Sequence, residues 1–178
     1  AHRAHASTTQ LASFFPNAKM AGLLMNAEIE NAKKVLHKAE RPFTAIVGGA
    51  KVSDKVLIVE NLLQIANHII IGGGMAYTFF KAMGGQIGAS LCEEERVDTC
   101  KEILARAKTM GVQIHLPIDA VVADCFAADA NTKIANSGEI EANWMGLDIG
   151  PKAIETFRIA HFYLQNSSSS LRRLSLQG

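Results

Sequence analysis

Short apolar segments alternate with longer amphipathic segments through much of the chain, and this alternation restricts its fold more than any other feature. Residues 43–47, 68–71, 113–116 and 120–123 have the length and β-branched content of strands. Between the first three of these predicted strands, apolar residues recur at helical spacing, which predicts helices there. Strands joined by helices favour a parallel sheet, because a parallel connection must carry the chain back along the sheet. The predicted fold class is therefore α/β, with helices on both faces of a parallel sheet.

The predicted helices follow from the spacing of apolar residues and from their end signals. They are a helix over residues 19–39, a helix capped by Ser53, a helix that carries Tyr77, Phe79 and Phe80, and a helix over residues 93–109. Gly111 is the expected residue just past the last helix end. The acidic run at residues 93–95 is expected as a solvated cap in the first turn of that helix, where negative charge complements the helix dipole.

The composition gives no reason to expect a highly charged partner. The chain has 178 residues, and its 18 Lys and Arg against 17 Asp and Glu leave a formal charge of +1. This balance argues against nucleic acid or a membrane as a partner, and no apolar run is long enough to span a bilayer. The three cysteines, Cys92, Cys100 and Cys125, lack CxxC spacing and are predicted to be buried or half-buried thiols. An odd, unpaired set of cysteines favours the reducing cytoplasm.

Two of the predicted strands end in glycine-rich loops. Residues 46–55 read IVGGAKVSDK, and residues 71–75 read IGGGM. Glycines at the carboxyl end of a strand allow backbone N–H groups to approach a ligand, and a following helix adds partial positive charge. If the helix begins near Val52, Lys51 and Lys55 flank its first turn and add two cations. The pattern favours phosphate binding, and the alternative is a tight turn with two solvated lysines.

Other ligand classes find less support in the motifs. Neither glycine loop matches the phosphate-loop motif GxxxxGK[ST] or the dinucleotide motif GxGxxG. The alternation of strands and helices would fit a nicotinamide dehydrogenase, but this sequence lacks the glycine motif and the acidic ribose ligand of that class. His2 and His5 have no carboxylate or cysteine at ligand spacing, and no metal site is predicted. His68 and His115 are expected to be strand residues without a catalytic role.

Several motifs together resemble the phosphoglycerate kinase family. In order along the chain they are AHRAHAS at residues 1–7, RPFTAIVGGAKVSDK at 41–55, IGGGMAYTF at 71–79, GASL at 88–91, LPIDAVVAD at 116–124 and NWMGLDIGP at 143–151. The resemblance implies two Rossmann-like lobes joined by a helix, one for 3-phosphoglycerate and the other for Mg-ADP or Mg-ATP. It also implies reversible phosphoryl transfer from 1,3-bisphosphoglycerate to ADP in cytoplasmic glycolysis.

The resemblance assigns parts of the chain to parts of that enzyme. It implies that residues 1–18 end the substrate lobe, residues 19–40 form the interdomain connector helix and residues 41–160 form an incomplete nucleotide-binding lobe. Residues 161–178 depart from the family and contain a serine run, which predicts a disordered tail.

The resemblance also implies roles for individual residues. His2 and Arg3 match the substrate-binding part of the family, and Lys55 matches the lysine that neutralises the transferring phosphoryl group. The nucleotide-phosphate loop corresponds to Gly49, Ala50, Lys51 and Lys55. The adenine and ribose pocket corresponds to Gly72, Gly73, Gly74, Leu91, Phe126, Gly146 and Leu147.

Large parts of the family pattern have no counterpart in this sequence. The second glycine loop, the Mg²⁺-holding aspartate and most phosphoglycerate-binding arginines are absent from it, so negligible kinase turnover is expected of this chain alone. The rival interpretation is a non-catalytic nucleotide-binding remnant or a structural module. The family is usually monomeric, but an exposed apolar sheet edge is expected to promote self-association here.

Overall fold

The computed structural model describes residues 4–38 and 41–158, without the side chains of residues 8 and 35–38. The predicted tail at 161–178 lies outside the described residues. The chain divides into two units, Ala1–Ala39 and Glu40–Gly178. Among the described residues, no helix is both long and apolar enough to cross a membrane.

The first unit contains one long helix. A π-helical turn at Ala6–Gln10 and a 3-10 turn at Leu11–Phe14 precede helix α1, Leu23–Lys38. The predicted helix over residues 19–39 is confirmed, with a start four residues later. Apolar side chains at its beginning are exposed, including those of Leu23 and Leu24.

The second unit contains the remaining helices and all the strands of the described chain. In order they are β1 (Thr44–Gly48), α2 (Val56–Ile65), β2 (His68–Gly72), α3 (Met75–Ala82), β3 (Gln86–Ile87), a 3-10 turn (Glu94–Arg96), α4 (Val97–Met110), β4 (Gln113–His115), β5 (Asp119–Ala123), β6 (Thr132–Asn136), β7 (Glu139–Ile140), β8 (Met145–Ile149) and α5 (residues 151–158). All the predicted strands are present, each shifted by one residue at one or both ends. Gly111 ends α4 in the left-handed conformation, at φ +71°.

The main sheet is parallel, with strand order β1-β2-β4. Its core is formed by β-branched residues of β2 and by apolar side chains of α2, α3 and α4, among them Ile71, Leu63, Phe79 and Ile103, each at most 1% exposed. This arrangement confirms the predicted α/β fold with a parallel sheet and helices.

A second three-stranded sheet follows the first and is antiparallel, with order β6-β5-β8. Only residues 116–118 separate strand β5 from β4. Three residues cannot form a parallel crossover, which needs a dozen or more residues. Strand β5 therefore pairs with later strands. A small parallel pair, β3 with β7, completes the described sheets.

Asp119 joins the second sheet to helix α5. Its carboxylate is 2% exposed and accepts hydrogen bonds from the backbone N–H groups of Lys152 (3.1 Å) and Ala153 (2.7 Å). Its backbone carbonyl accepts the N–H of Gly150 at 2.8 Å. A Cβ at Gly150 would overlap this carboxylate, so glycine is required for the close approach. A residue from β5 thus caps a helix that begins about thirty positions later.

We expect Asp119→Ala to lower the free energy of unfolding by about 1–2 kcal/mol, because two N–H groups of α5 lose their acceptor. Asp119→Asn keeps one amide oxygen as an acceptor and is expected to cost less. Urea denaturation followed by the fluorescence of Trp144, the single tryptophan, measures both variants. An unchanged unfolding midpoint for Asp119→Ala would show that the cap contributes no stability.

Candidate functional site

The two glycine loops leave the parallel sheet side by side. Strands β1 and β2 run in the same direction with Gly48 opposite Gly72, so both loops begin at the carboxyl edge of the sheet. The N–H of Met75, at the start of α3, donates to the carbonyl of Gly49 at 2.9 Å and joins the loops. This edge is where open α/β sheets bind their ligands.

The loops approach so closely that Gly73 leaves no room for a side chain and Gly74 leaves little. A Cβ at Gly73, which has φ +69°, would lie 2.7 Å from the carbonyl oxygen of Gly49. A Cβ at Gly74 would lie 2.9 Å from Leu91 Cδ2 and 3.1 Å from the carbonyl oxygen of Ala50. The structure therefore brings five of the predicted site residues into one cluster.

Lys55 and Lys51 supply positive charge beside this cluster. The side chain of Lys55 is half-buried, and its Cε lies 3.6 Å from the position that a Cβ at Gly49 would take. Lys51 is exposed. No ion pair of Lys55 with a carboxylate is present in the described part of the chain, so its ammonium group is available to an anion.

The prediction of a helix beginning near Val52 with Ser53 as its cap is wrong. Helix α2 begins at Val56, and residues 52–55 form a turn in which Val52 accepts the N–H groups of Lys55 (2.8 Å) and Val56 (2.9 Å) through its carbonyl. The Val52 side chain is fully buried and anchors the turn in the core. Lys51 therefore precedes the turn and Lys55 ends it, and the two lysines do not share a helix face.

Ser53 instead binds Glu93, forty residues away. Its N–H donates to Glu93 Oε2 at 3.0 Å, and its hydroxyl donates to Oε1 at 2.6 Å. The Ser53 hydroxyl is the main reason that the pKa of Glu93 is lowered, and Lys51 adds to the effect. The expectation of a solvated cap is thus wrong for Glu93, while Glu94 and Glu95 are exposed in the 3-10 turn. No local pattern indicates this pair in the sequence.

Strand β8 is linked to the segment that contains Leu91. The N–H of Gly146 donates to the hydroxyl of Ser90 at 2.9 Å, and a Cβ at Gly146 would overlap the hydroxyl of Tyr77. Tyr77 is 5% exposed, and burial, with Asp148 nearby, raises its pKa to about 12. Gly146 is therefore required for the packing of β8 on α3. Neighbouring Leu147 is exposed.

The remaining predicted site residues are not joined to this cluster by described contacts. Phe126 lies between β5 and β6 with 86% of its surface exposed. Cys125 beside it is also exposed, although a buried or half-buried thiol was expected. His2 and Arg3 lie outside the described residues. Within the described ranges, no group of three or more His, Cys, Asp or Glu side chains could hold a metal ion.

His68 and His115 pair with each other across β2 and β4. Nδ1 of His68 lies 3.0 Å from Nε2 of His115, and the rings are stacked. Burial, and the neighbouring His68, lower the pKa of His115. Both are strand residues, as predicted.

Comparison with known proteins places these features in one family. A family model described as phosphoglycerate kinase matches residues 1–162. The structure is similar to that of phosphoglycerate kinase from Coxiella burnetii, with 39% identity and a TM-score of 0.77 over 88% of this chain and 40% of that one. It also shares the fold of phosphoglycerate kinase from Pyrococcus horikoshii OT3, with 24% identity and a TM-score of 0.64 over 78% of this chain and 36% of that one. The chain thus spans well under half the length of either.

Proposed function

Because the chain belongs to the phosphoglycerate kinase family, we propose that its two glycine loops bind Mg-ADP or Mg-ATP. The observation that carries this proposal is that the two loops pack against each other at the carboxyl edge of the parallel sheet, with the side chain of Lys55 against Gly49 of the first loop. Backbone groups at such an edge suit the phosphates of a nucleotide, and a cation beside them suits charge that moves during transfer.

The proposed roles divide between the two loops. Gly49, Ala50 and Lys51 bind the nucleotide phosphates, while Lys55 neutralises the phosphoryl group in transfer. The adenine and ribose pocket is lined by Gly72, Gly73, Gly74, Leu91, Phe126, Gly146 and Leu147. The approach of Leu91 to Gly74 and the bond from Gly146 to Ser90, which precedes Leu91, support the grouping of Gly74, Leu91 and Gly146 in one pocket. His2 and Arg3 contact the phosphoglycerate.

The proposed reaction is the reversible transfer of a phosphoryl group from 1,3-bisphosphoglycerate to ADP, which gives 3-phosphoglycerate and ATP. The bond from phosphorus to the carboxyl oxygen breaks, and a bond from phosphorus to the terminal oxygen of ADP forms. Such a transfer is catalysed mainly by positioning and by electrostatic stabilisation, and Lys55 supplies part of the latter. Mg²⁺ enters with the nucleotide as part of the substrate.

A nucleotide-binding chain without turnover is the second candidate. The observation that favours it is that the chain matches 40% of the length of the Coxiella burnetii enzyme, and catalysis of this kind depends on several groups placed together around the transferring phosphoryl group. This candidate has the same nucleotide site but forms no ATP.

Calorimetric titration of the purified 178-residue chain with Mg-ADP tests the nucleotide site, and a coupled assay for ATP tests turnover. Both candidates predict saturable binding. We expect no measurable ATP formation by this chain alone, which is the result that the second candidate predicts. An absence of binding by a chain that circular dichroism shows to be folded would refute the nucleotide site. Clear ATP formation would refute the candidate without turnover.

Small molecules are the proposed partners, and the cytoplasm is the proposed compartment, as glycolytic chemistry requires. The chain also associates with a second copy of itself. Strand β1 is at the edge of the parallel sheet in the described structure, with Ile46 on β1 and Leu57 on α2 more than 70% exposed. Light scattering of the calorimetry sample measures this association, and a monomer mass at all concentrations would refute it.

A further inference from the structure

We infer that Glu93 is a positioning residue that holds the turn of residues 52–55, and thereby Lys51 and Lys55, in the geometry that binds nucleotide phosphates. The role in binding rests on the proposed function, whereas the hold on the turn does not. Glu93 acts through Ser53 and has no contact with the nucleotide in this proposal.

The contact between Glu93 and Ser53 uses both carboxylate oxygens. One oxygen accepts the backbone N–H of Ser53 at 3.0 Å, and the other accepts its hydroxyl at 2.6 Å. Two hydrogen bonds from one residue fix its orientation as well as its position, and bonds to an ionised acceptor are stronger than neutral ones. The main chain of the turn is therefore held, and not only a side chain at its surface.

Glu93 is itself fixed to the core of the unit. Its backbone N–H donates to the hydroxyl of Thr78 at 3.2 Å, and Thr78 is 1% exposed within α3. The link thus runs from a buried helix through Glu93 to the turn. The buried side chain of Val52 also anchors the start of the turn in the core.

The position of Ser53 in the turn explains why this hold affects both lysines. Lys51 and Lys55 lie two residues before and two residues after Ser53. The bond from the N–H of Lys55 to the carbonyl of Val52 closes the turn around Ser53 at 2.8 Å. A shift of Ser53 away from Glu93 would move the main chain that carries both ammonium groups, and small misplacements of such groups weaken binding and catalysis strongly.

Glu93 also connects the two halves of the proposed site. Leu91, two residues earlier, has its Cδ2 2.9 Å from the position that a Cβ at Gly74 would take. The segment that touches the second glycine loop through Leu91 thus binds the first loop through Glu93. Through Leu91 and Glu93, this segment sets the distance between the first glycine loop, which binds the phosphates in the proposal, and the second, which lines the adenine and ribose pocket.

A comparison of Glu93→Gln, Ser53→Ala, the double variant and Ser53→Thr tests the inference. Glu95→Gln is the control, because it makes the same change at an exposed position in the adjoining 3-10 turn. The first measurement is hydrogen exchange of the Ser53 amide by NMR without nucleotide. We expect Glu93→Gln to speed exchange by about tenfold, as the loss of a charge-assisted bond predicts, and Glu95→Gln to leave it unchanged.

The second measurement is the Kd for Mg-ADP at a temperature where circular dichroism shows every variant to be folded. We expect Glu93→Gln to raise the Kd about tenfold, and Ser53→Ala to raise it less because its N–H is retained. The double variant is expected to resemble Glu93→Gln alone, since the two residues act through one contact. Ser53→Thr keeps the hydroxyl and is expected to retain the wild-type Kd.

Unchanged exchange at Ser53 in Glu93→Gln would overturn the inference, because the carboxylate would then not hold the turn. Faster exchange with an unchanged Kd would also overturn it, since Glu93 would then be structural only. If the wild-type chain binds no Mg-ADP, the proposed function fails, and the exchange result by itself decides whether Glu93 holds the turn.

Discussion

Gly73→Ala is expected to lower the free energy of unfolding by about 2–5 kcal/mol and to abolish Mg-ADP binding. Alanine in the left-handed conformation that Gly73 adopts, at φ +69°, costs about 1–2 kcal/mol. Its Cβ would also lie 2.7 Å from the carbonyl oxygen and 3.0 Å from the nitrogen of Gly49. Both contacts are with main chain, which cannot rotate away, and overpacking of this kind costs about 1–3 kcal/mol.

Relief of that overlap would push the two glycine loops apart. The hydrogen bond from the N–H of Met75 to the carbonyl of Gly49 joins the loops at this point. The substitution would break this bond and move the first loop away from the second. Urea denaturation measures the stability, and calorimetry at a temperature where the variant is folded measures binding.

Gly72→Ala is the matched control for stability. A Cβ at Gly72 would have no heavy atom within 4 Å, and its φ is not in the left-handed region. We therefore expect a change of at most about 0.5 kcal/mol. Equal losses in the two variants would contradict the explanation by close approach.

Lys55→Ala is expected to raise the Kd for Mg-ADP by about 10- to 100-fold. A hydrogen bond to a charged partner contributes about 1.5–3 kcal/mol, and each 1.4 kcal/mol is a tenfold change in Kd. The half-buried side chain of Lys55 lies against Gly49, so its ammonium group is positioned before the nucleotide binds. Isothermal calorimetry of the variant and the wild type measures the change.

Lys101→Ala is the matched control for charge. Lys101 is exposed on α4 and pairs with Asp98 at 2.9 Å, so its removal changes the net charge equally without touching the glycine loops. We expect its Kd to stay within about twofold of the wild type, because exposed charges at a distance are screened. An equal rise in Kd for both variants would indicate a general charge effect and contradict the role given to Lys55.

Most of the parallel part of the fold could be predicted from the sequence. The apolar β-branched runs of β1 and β2 end at glycine, and the helices between strands show their period directly. Apart from strand β5, the second sheet and the β3–β7 pair could not be predicted in the same way. Strand β6 alternates between exposed and half-buried residues, and β3 and β7 have two residues each. Such short strands form because a neighbouring strand is present to pair with them, and their own residues give little indication of strand structure.

The strands and helices of the parallel sheet and the two glycine loops at its carboxyl edge follow from local sequence, because backbone preference and hydrophobic period depend on neighbouring residues. Three features depend on the folded chain: the start of α2 at Val56, the contact of Ser53 with Glu93 and the cap of α5 by Asp119. The Ser53 and Asp119 contacts depend on partners that are tens of residues away along the chain. The start of α2 depends on the burial of the Val52 side chain in the core. Such partners leave no local pattern, since a hydrogen bond depends on distance in space and not on separation along the chain.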